Sequence, residues 1–186
     1  MANPILVLAE QLRGEISDIT FEMLGVGRAL ASAVGAPLYA VLLGSEAAPL
    51  AAKLGKADKV FVADNPQLNL APAATVTAVL KAVIDQSQAG LVLVGCTNVS
   101  LGIGSTLAAQ TGLPLVNFCR AARADGSAIQ LTSQLFGGKI LSDVKLPDGR
   151  GIACLYPGAF PADDGKSDQK PPVAKPDPPM ETTQGT

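Results

Sequence analysis

The sequence predicts an α/β protein: a doubly wound, mainly parallel sheet of Rossmann-like type, extended at its carboxyl end by an antiparallel β-meander. Three observations carry this prediction. Up to residue 122, short apolar runs suited to strands covered on both faces alternate with segments of helical spacing. Beyond 122, three β-like runs follow one another with connections too brief for a crossover helix. The apolar residues, 48% of 186, are mostly Ala, Val, Leu and Ile, while aromatics make up 4% and Trp is absent. Such a core is built from close-packed aliphatic layers.

The first strand is "PILVLA" (4–9), and a polar loop bracketed by Gly14 and Asp18 follows it. "ITFEMLGVGRALASAVG" (19–35) sets Met23, Val26, Leu30 and Val34 at helical spacing, with Ser17 or Asp18 as N-cap and Gly35 as the stop. "PLYAVLLG" (37–44) is a second buried strand. "SEAAPLAAKLG" (45–55) is a short helix capped by Ser45, and "DKVFVAD" (58–64) a third strand. "APAATVTAVLKAVIDQSQ" (71–88) places Ala73, Val76, Leu80, Val83 and Ile84 on one face, as in a helix lying on a sheet. Strand "GLVLVG" (90–95), helix "LGIGSTLAAQTG" (101–112) and strand "PLVNFCRAA" (114–122) complete the alternation, which calls for right-handed crossovers. "SAIQLTSQLF" (127–136), "KILSDVKL" (139–146) and "GIACLY" (151–156) then read as antiparallel strands joined by "ADG" and "PDGRG" turns. The chain divides into a domain at 1–160 and a Pro-rich tail at 161–186 with little to bury, expected to be disordered.

Several function classes drop out on composition. A net charge of −2 without clustered Lys or Arg argues against nucleic acid and anionic membranes as partners. No apolar run approaches the roughly 20 residues of a membrane span, and the start lacks the basic region of a signal peptide. Cys96, Cys119 and Cys154 are sparse and lack a CxxC, which reads as reduced thiols in a cytoplasmic protein. Histidine is absent, which removes imidazole bases, catalytic triads and His-ligated metals. The expectation is no catalytic residue and no metal site.

In a doubly wound sheet, ligands sit beyond the carboxyl ends of the strands. The tips in question are Ala9-Glu10, Gly44-Ser45 and Gly95-Cys96-Thr97-Asn98. "GCTNVSLGIGSTLA" places glycines, hydroxyls and an amide before a helix N-terminus, where free N–H groups favour phosphate. This makes Ala9, Gly95, Thr97, Asn98, Gly104 and Ser105 candidate nucleotide-binding residues. The plainer alternative is that Gly102 and Gly104 let the loop turn while Ser100 caps the helix. "FGGK" (136–139) reads as an anion-binding nest or, more simply, a tight hairpin. Cys96 is the thiol best placed to react, yet with no His and no nearby Lys it reads as a core thiol. Cys119 and Cys154 lie inside strand runs and read as core. Glu10, Glu15, Asp18 and Glu22 read as capping and solvating carboxylates, and "KPPVAKPDPP" as a linker or polyproline ligand.

"ILVLAE", "GEISDITFEMLGVGRALA", "VLLGS", "GKADKVFVAD", "LVLVGCT", "LAAQTGLPLV", "GGK" and "PGAF" occur in an order that resembles the N-terminal domain of the electron transfer flavoprotein alpha subunit across residues 4–160. The resemblance implies an adenine-nucleotide hydrolase-like α/β domain that pairs with a similarly folded beta subunit as a heterodimer. It also implies that FAD is cradled by a second domain, and that AMP resides in the beta-like partner. Residues 161–186 are too few to hold a flavin domain. The chain departs from the pattern at Tyr156, where the family commonly has an arginine, and in the uncharged 98–105 loop. The expectation is a non-catalytic platform domain that binds no cofactor alone. It would pair with a beta-like subunit and a flavin domain supplied elsewhere, a separate FAD-binding chain being one source, with an acyl-CoA dehydrogenase-type electron donor. The alternative is a stand-alone adenine-nucleotide-binding module of the universal-stress-protein-like class.

Overall fold

A computed structural model of the chain describes residues 2–69 and 71–176. Strand β1 (Ile5–Ala9) is followed by the small hairpin β2 (Gln11–Leu12) and β3 (Glu15–Ile16), then helix α1 (Asp18–Val34) and strand β4 (Leu38–Gly44). Helix α2 (Ala47–Leu50), strand β5 (Lys59–Asp64), helix α3 (Ala73–Ser87), strand β6 (Leu91–Gly95) and helix α4 (Ile103–Thr111) come next. Strands β7 (Leu115–Asp125), β8 (Ala128–Leu135), β9 (Ile140–Leu146), β10 (Gly151–Leu155) and β11 (Val173–Ala174) close the order. Among the described residues no helix is long and apolar enough to cross a membrane.

The expected α/β architecture is present. Nine strands form one sheet in the order β11-β5-β4-β1-β6-β10-β7-β8-β9, antiparallel only at β7–β8 and β8–β9. Side chains alternate across each strand, so β1 sends Ile5, Val7 and Ala9 to one face and Leu6 and Leu8 to the other. On the first face they pack with Met23, Leu24 and Leu30 of α1; on the second, with Leu80 and Val83 of α3 and Leu107 of α4. This two-sided burial is why the parallel strands are continuously apolar, and each such side chain contributes about 1.5–3 kcal/mol.

The expected antiparallel meander is present as β7–β8–β9, but the 151–156 strand does not belong to it. Only β7, β8 and β9 are antiparallel; β10 lies between β6 and β7, parallel to both. The "PDGRG" turn does join β9 to β10, but the two are not neighbours in the sheet, so its brevity sets no constraint on their pairing. All of β10 is buried, as an interior strand must be. Strand β7 carries an irregularity between Cys119 and Ala121. Ile129 and Leu131 of β8 and Leu146 of β9 belong to the same buried cluster as α1.

The segment after 160, expected to lack structure, is built into the fold as far as 176. Residues 162–165 form a 3-10 turn against α1, and Gly165 is so close that a Cβ there would collide with the Phe21 carbonyl. The Pro172 carbonyl accepts the Val60 N–H at 2.9 Å, and β11 pairs in parallel with β5. Residues 177–186 of the expected tail lie outside the described residues. The turn leading into this segment is held from inside α1. Glu22, 5% exposed, accepts the Gly158 N–H on both carboxylate oxygens (2.9 and 3.0 Å) and the Phe160 N–H at 3.3 Å. Glu22 therefore clamps the "PGAF" turn and is not a solvating carboxylate. Ser45 is likewise not a helix cap: Glu46 precedes α2, and the Ser45 N–H donates to Asn69 Oδ1 at 2.9 Å.

Removing a charged acceptor from partly buried N–H groups costs about 1–3 kcal/mol. Glu22→Ala is expected to lower the unfolding free energy by that amount and to open residues 161–176 to protease. Denaturant titration and limited proteolysis check this, and an unchanged midpoint with unchanged digestion would contradict it.

Candidate functional site at the carboxyl edge of the sheet

Strand β1 ends at Ala9, and the next residue is a carboxylate held inside the protein. Glu10 is 4% exposed. Its N–H donates to Thr20 Oγ1 at 2.8 Å, and that hydroxyl donates back to the Glu10 carbonyl at 3.1 Å, which fixes the backbone. Oε2 accepts the Thr97 hydroxyl at 2.7 Å and Oε1 the Ser100 hydroxyl at 2.6 Å. Gly95 at the tip of β6 makes room, since a Cβ there would run into Glu10 Oε1. Burial pushes the Glu10 carboxyl up from its ordinary 4.5, and the hydrogen bonds from Ser100 and Thr97 pull it partly back. Glu10 is thus neither a cap nor a solvated charge. Ser100 does not cap α4 with its side chain; the helix starts at Gly102, in left-handed conformation.

A cleft of about 1140 Å³ opens beside this carboxylate, lined among others by Leu8, Arg13, Leu43, Asn98 and Ile103. Of the predicted nucleotide residues, Ala9 and Asn98 line it. Gly95 and Thr97 sit behind it on the Glu10 carboxylate. Gly104 is buried against the Cys154 sulfur, and Ser105 is exposed with its hydroxyl donating to the Gly102 carbonyl at 3.0 Å. Among the described lining residues Arg13 is the one cation, and Glu10 and Glu46 supply two carboxylates. That balance does not fit the pyrophosphate of a dinucleotide such as FAD.

Cys96 follows the tip of β6, Cys154 lies near the end of β10, and Cys119 lies inside β7 on the other face of the sheet. Cys96 is half-buried, and its N–H donates to the Leu155 carbonyl at 2.8 Å. The Cys154 thiol hydrogen-bonds its sulfur, as does the Phe118 N–H. Phe118 reaches this position with φ of 53°, a left-handed conformation that costs a non-glycine residue about 1–3 kcal/mol. The Cys154 hydrogen bond, aided by Phe118 and opposed by burial and by Glu10, lowers the Cys96 thiol to about 7. Cys154 is driven upward by giving that hydrogen bond and by burial. Burial pushes Cys119 up to about 12; it lies in the α1-side cluster and donates to the Val116 carbonyl at 3.4 Å. Cys119 matches the expected core thiol. Cys96 does not, because its activating partners come from strands distant in sequence.

Six large apolar side chains are exposed in this part of the sheet: Phe118, Leu135, Phe136, Ile140, Leu141 and Tyr156. Leu135 and Ile140 are cross-strand partners on one face of the β8–β9 ribbon, and Leu141 points to the other. The ribbon's tip is the β8–β9 connection, where Phe136, Gly137 and Gly138 all have positive φ and Phe136 is 75% exposed. "FGGK" is therefore the tight hairpin of the two readings. Tyr156 stacks under the Arg120 guanidinium at 5.5 Å, and Arg120 also donates to Gln134 at 3.1 Å. Sequence reasoning did not mark these side chains; the one signal was Tyr156 at a position where the resemblance expects arginine.

The electron transfer flavoprotein domain pattern matches residues 5–180. The electron transfer flavoprotein subunit alpha of Megasphaera elsdenii is 33% identical over 150 residues, covering 78% of this chain and 44% of that protein. Protein FixB of Clostridium saccharobutylicum is 31% identical, over 84% of this chain and 48% of its own. Subunit LctC of the Acetobacterium woodii lactate dehydrogenase (NAD(+),ferredoxin) is 32% identical, over 81% of this chain and 37% of its own. The chain thus spans less than half the length of these relatives.

Two outcomes follow from the edge. Above pH 4.5 the native Glu10 keeps a proton that the unfolded chain has lost, so its contribution to stability declines as pH rises toward the raised native value. Glu10→Gln is expected to flatten that decline, measured by denaturant unfolding across the window; a slope as steep as wild type would contradict the assignment. Iodoacetamide labelling of the native protein is expected to modify Cys96 with a pH midpoint near 7 and to leave Cys119 and Cys154 unlabelled. A Cys96 midpoint at the ordinary 9.0 would contradict it.

Proposed function

Because the chain belongs to the electron transfer flavoprotein family, we propose that it is an alpha-type platform domain of an electron-transfer complex. It pairs with a beta-like subunit and supports a flavin domain. The observation that supports this reading is the concentration of exposed apolar side chains at the end of the β8–β9 ribbon, Leu135, Phe136, Ile140 and Leu141, with Phe118 and Tyr156 also exposed. Aromatic and Arg anchors dominate protein interfaces, and Arg120–Tyr156 is a pair of that kind. Two relatives carry names that support the reading: the electron transfer flavoprotein subunit alpha of Megasphaera elsdenii and the electron transfer subunit beta of an acryloyl-CoA reductase from Anaerotignum propionicum.

In this reading the chain is not itself an enzyme and acts in the cytoplasm. FAD belongs to the assembled complex, AMP to the beta-like partner, and the electrons come from an acyl-CoA dehydrogenase-type donor. The cleft supports a second reading, an adenine-nucleotide module using Ala9 and Asn98. Titration calorimetry with AMP separates the two, because micromolar binding to the isolated chain favours the module.

Copurification with a family beta subunit is expected to yield a stable complex. Phe136→Asp with Leu141→Asp should weaken it at least tenfold, about 1.4 kcal/mol or more. Stoichiometric FAD on the solitary chain, or an unchanged affinity in the double variant, would overturn the platform reading.

A further inference from the structure

Cys154 faces Val94 across the β6–β10 pair, so Cys96, two residues beyond Val94, projects from the same face. Both cysteines join the apolar cluster under α3 and α4, and the two thiols share a hydrogen bond. Cys119 has its sulfur on the opposite face, tied to the Val116 carbonyl. The surroundings favour the pair in two further ways. Gly104 of α4 leaves the space that the Cys154 sulfur fills, since a Cβ there would overlap it. Phe118 holds a left-handed conformation in which its N–H points at the Cys96 sulfur. Cys96 is reachable from solvent, and Cys154 lies buried behind it.

We propose that Cys96 and Cys154 are a reversible dithiol–disulfide site that reacts with a hydroperoxide. The Cys96 thiolate attacks the peroxide oxygen, the O–O bond breaks, and the departing oxygen leaves protonated as an alcohol or water. Cys96 is then a sulfenic acid. The Cys154 sulfur attacks the Cys96 sulfur; the S–S bond forms, the S–O bond breaks, and the hydroxide leaves as water with the Cys154 proton. The thiols lose two electrons in all and the peroxide gains them. A dithiol reductant reverses the change by exchange. Closing the bond requires the two Cα atoms to come within about 4.4–6.8 Å, so the segment at Cys96, which follows the last residue of β6, must shift toward Cys154 on oxidation.

This inference needs no partner and stands apart from the platform reading. The test uses the full chain, with near-stoichiometric hydrogen peroxide, intact mass and peptide mapping. The expected product has lost two hydrogens, joins the Cys96 and Cys154 peptides, retains one free thiol of three, and reverts with dithiothreitol. Cys119→Ser should behave identically. Cys154→Ser should stop at a sulfenic acid that dimedone traps; if that variant does not fold, the wild-type and Cys119→Ser maps decide alone. A sulfinate on Cys96 without cross-linking, a bond to Cys119, a bond between chains, or no reaction overturns the proposal.

Discussion

The insertion of β10 between β6 and β7 sets the geometry of everything at the carboxyl edge. Gly151–Leu155 pairs with Leu91–Gly95 on one side and with β7 on the other, and these contacts span more than thirty to about sixty residues of sequence. Closing such loops is slow but, once the strand is enclosed, its five buried residues hold the register. That register places Cys154 beside Cys96 and Tyr156 on the Cys119 carbonyl. It also delivers Gly158 and Phe160 to the Glu22 carboxylate, from which the chain continues across α1 to β11.

The edge divides into three regions of different chemistry. Over β1 and β4 lies a cleft whose inner wall is a hydroxyl-satisfied carboxylate, poorly suited to clustered phosphate. Over β6 and β10 lie two thiols of opposite tendency, one activated and one suppressed by the same hydrogen bond. On the β7–β9 extension lie the exposed apolar side chains, with Phe136 at the tip. In the proposed reading the exposed apolar side chains serve docking, and the matched relatives are more than twice as long as the stretch they share with this chain.

Local signals made most of the fold legible. The apolar runs and the 3.6-residue spacing of Leu80, Val83 and Ile84 mark elements that are buried on both faces or on one. The position of β10 was not legible, because a short turn reads as a hairpin and nothing local says that two other strands intervene. The segment after 160 was misread for a related reason. Its proline content suggests disorder, whereas Gly165 against Phe21 and Pro172 against Val60 are tertiary contacts. At the site, the sequence singled out the strand tips at Ala9 and Gly95; Ala9 lines the cleft and Gly95 packs against the Glu10 carboxylate. The roles were not legible: Glu10 looked solvated because Thr97 and Ser100 are some ninety residues away, at |i−j| of 87 and 90. Cys96 looked inert for want of a charged neighbour, when its partners are a thiol and a strained backbone N–H.

Hydrogen–deuterium exchange of the chain alone and in the presence of a family beta subunit tests the platform account most directly. The account predicts new protection at Phe118, across 135–141 and at Tyr156, with little change in the cleft around Arg13 and Asn98. Protection confined to the cleft, with those apolar positions exchanging as in the free chain, would contradict it.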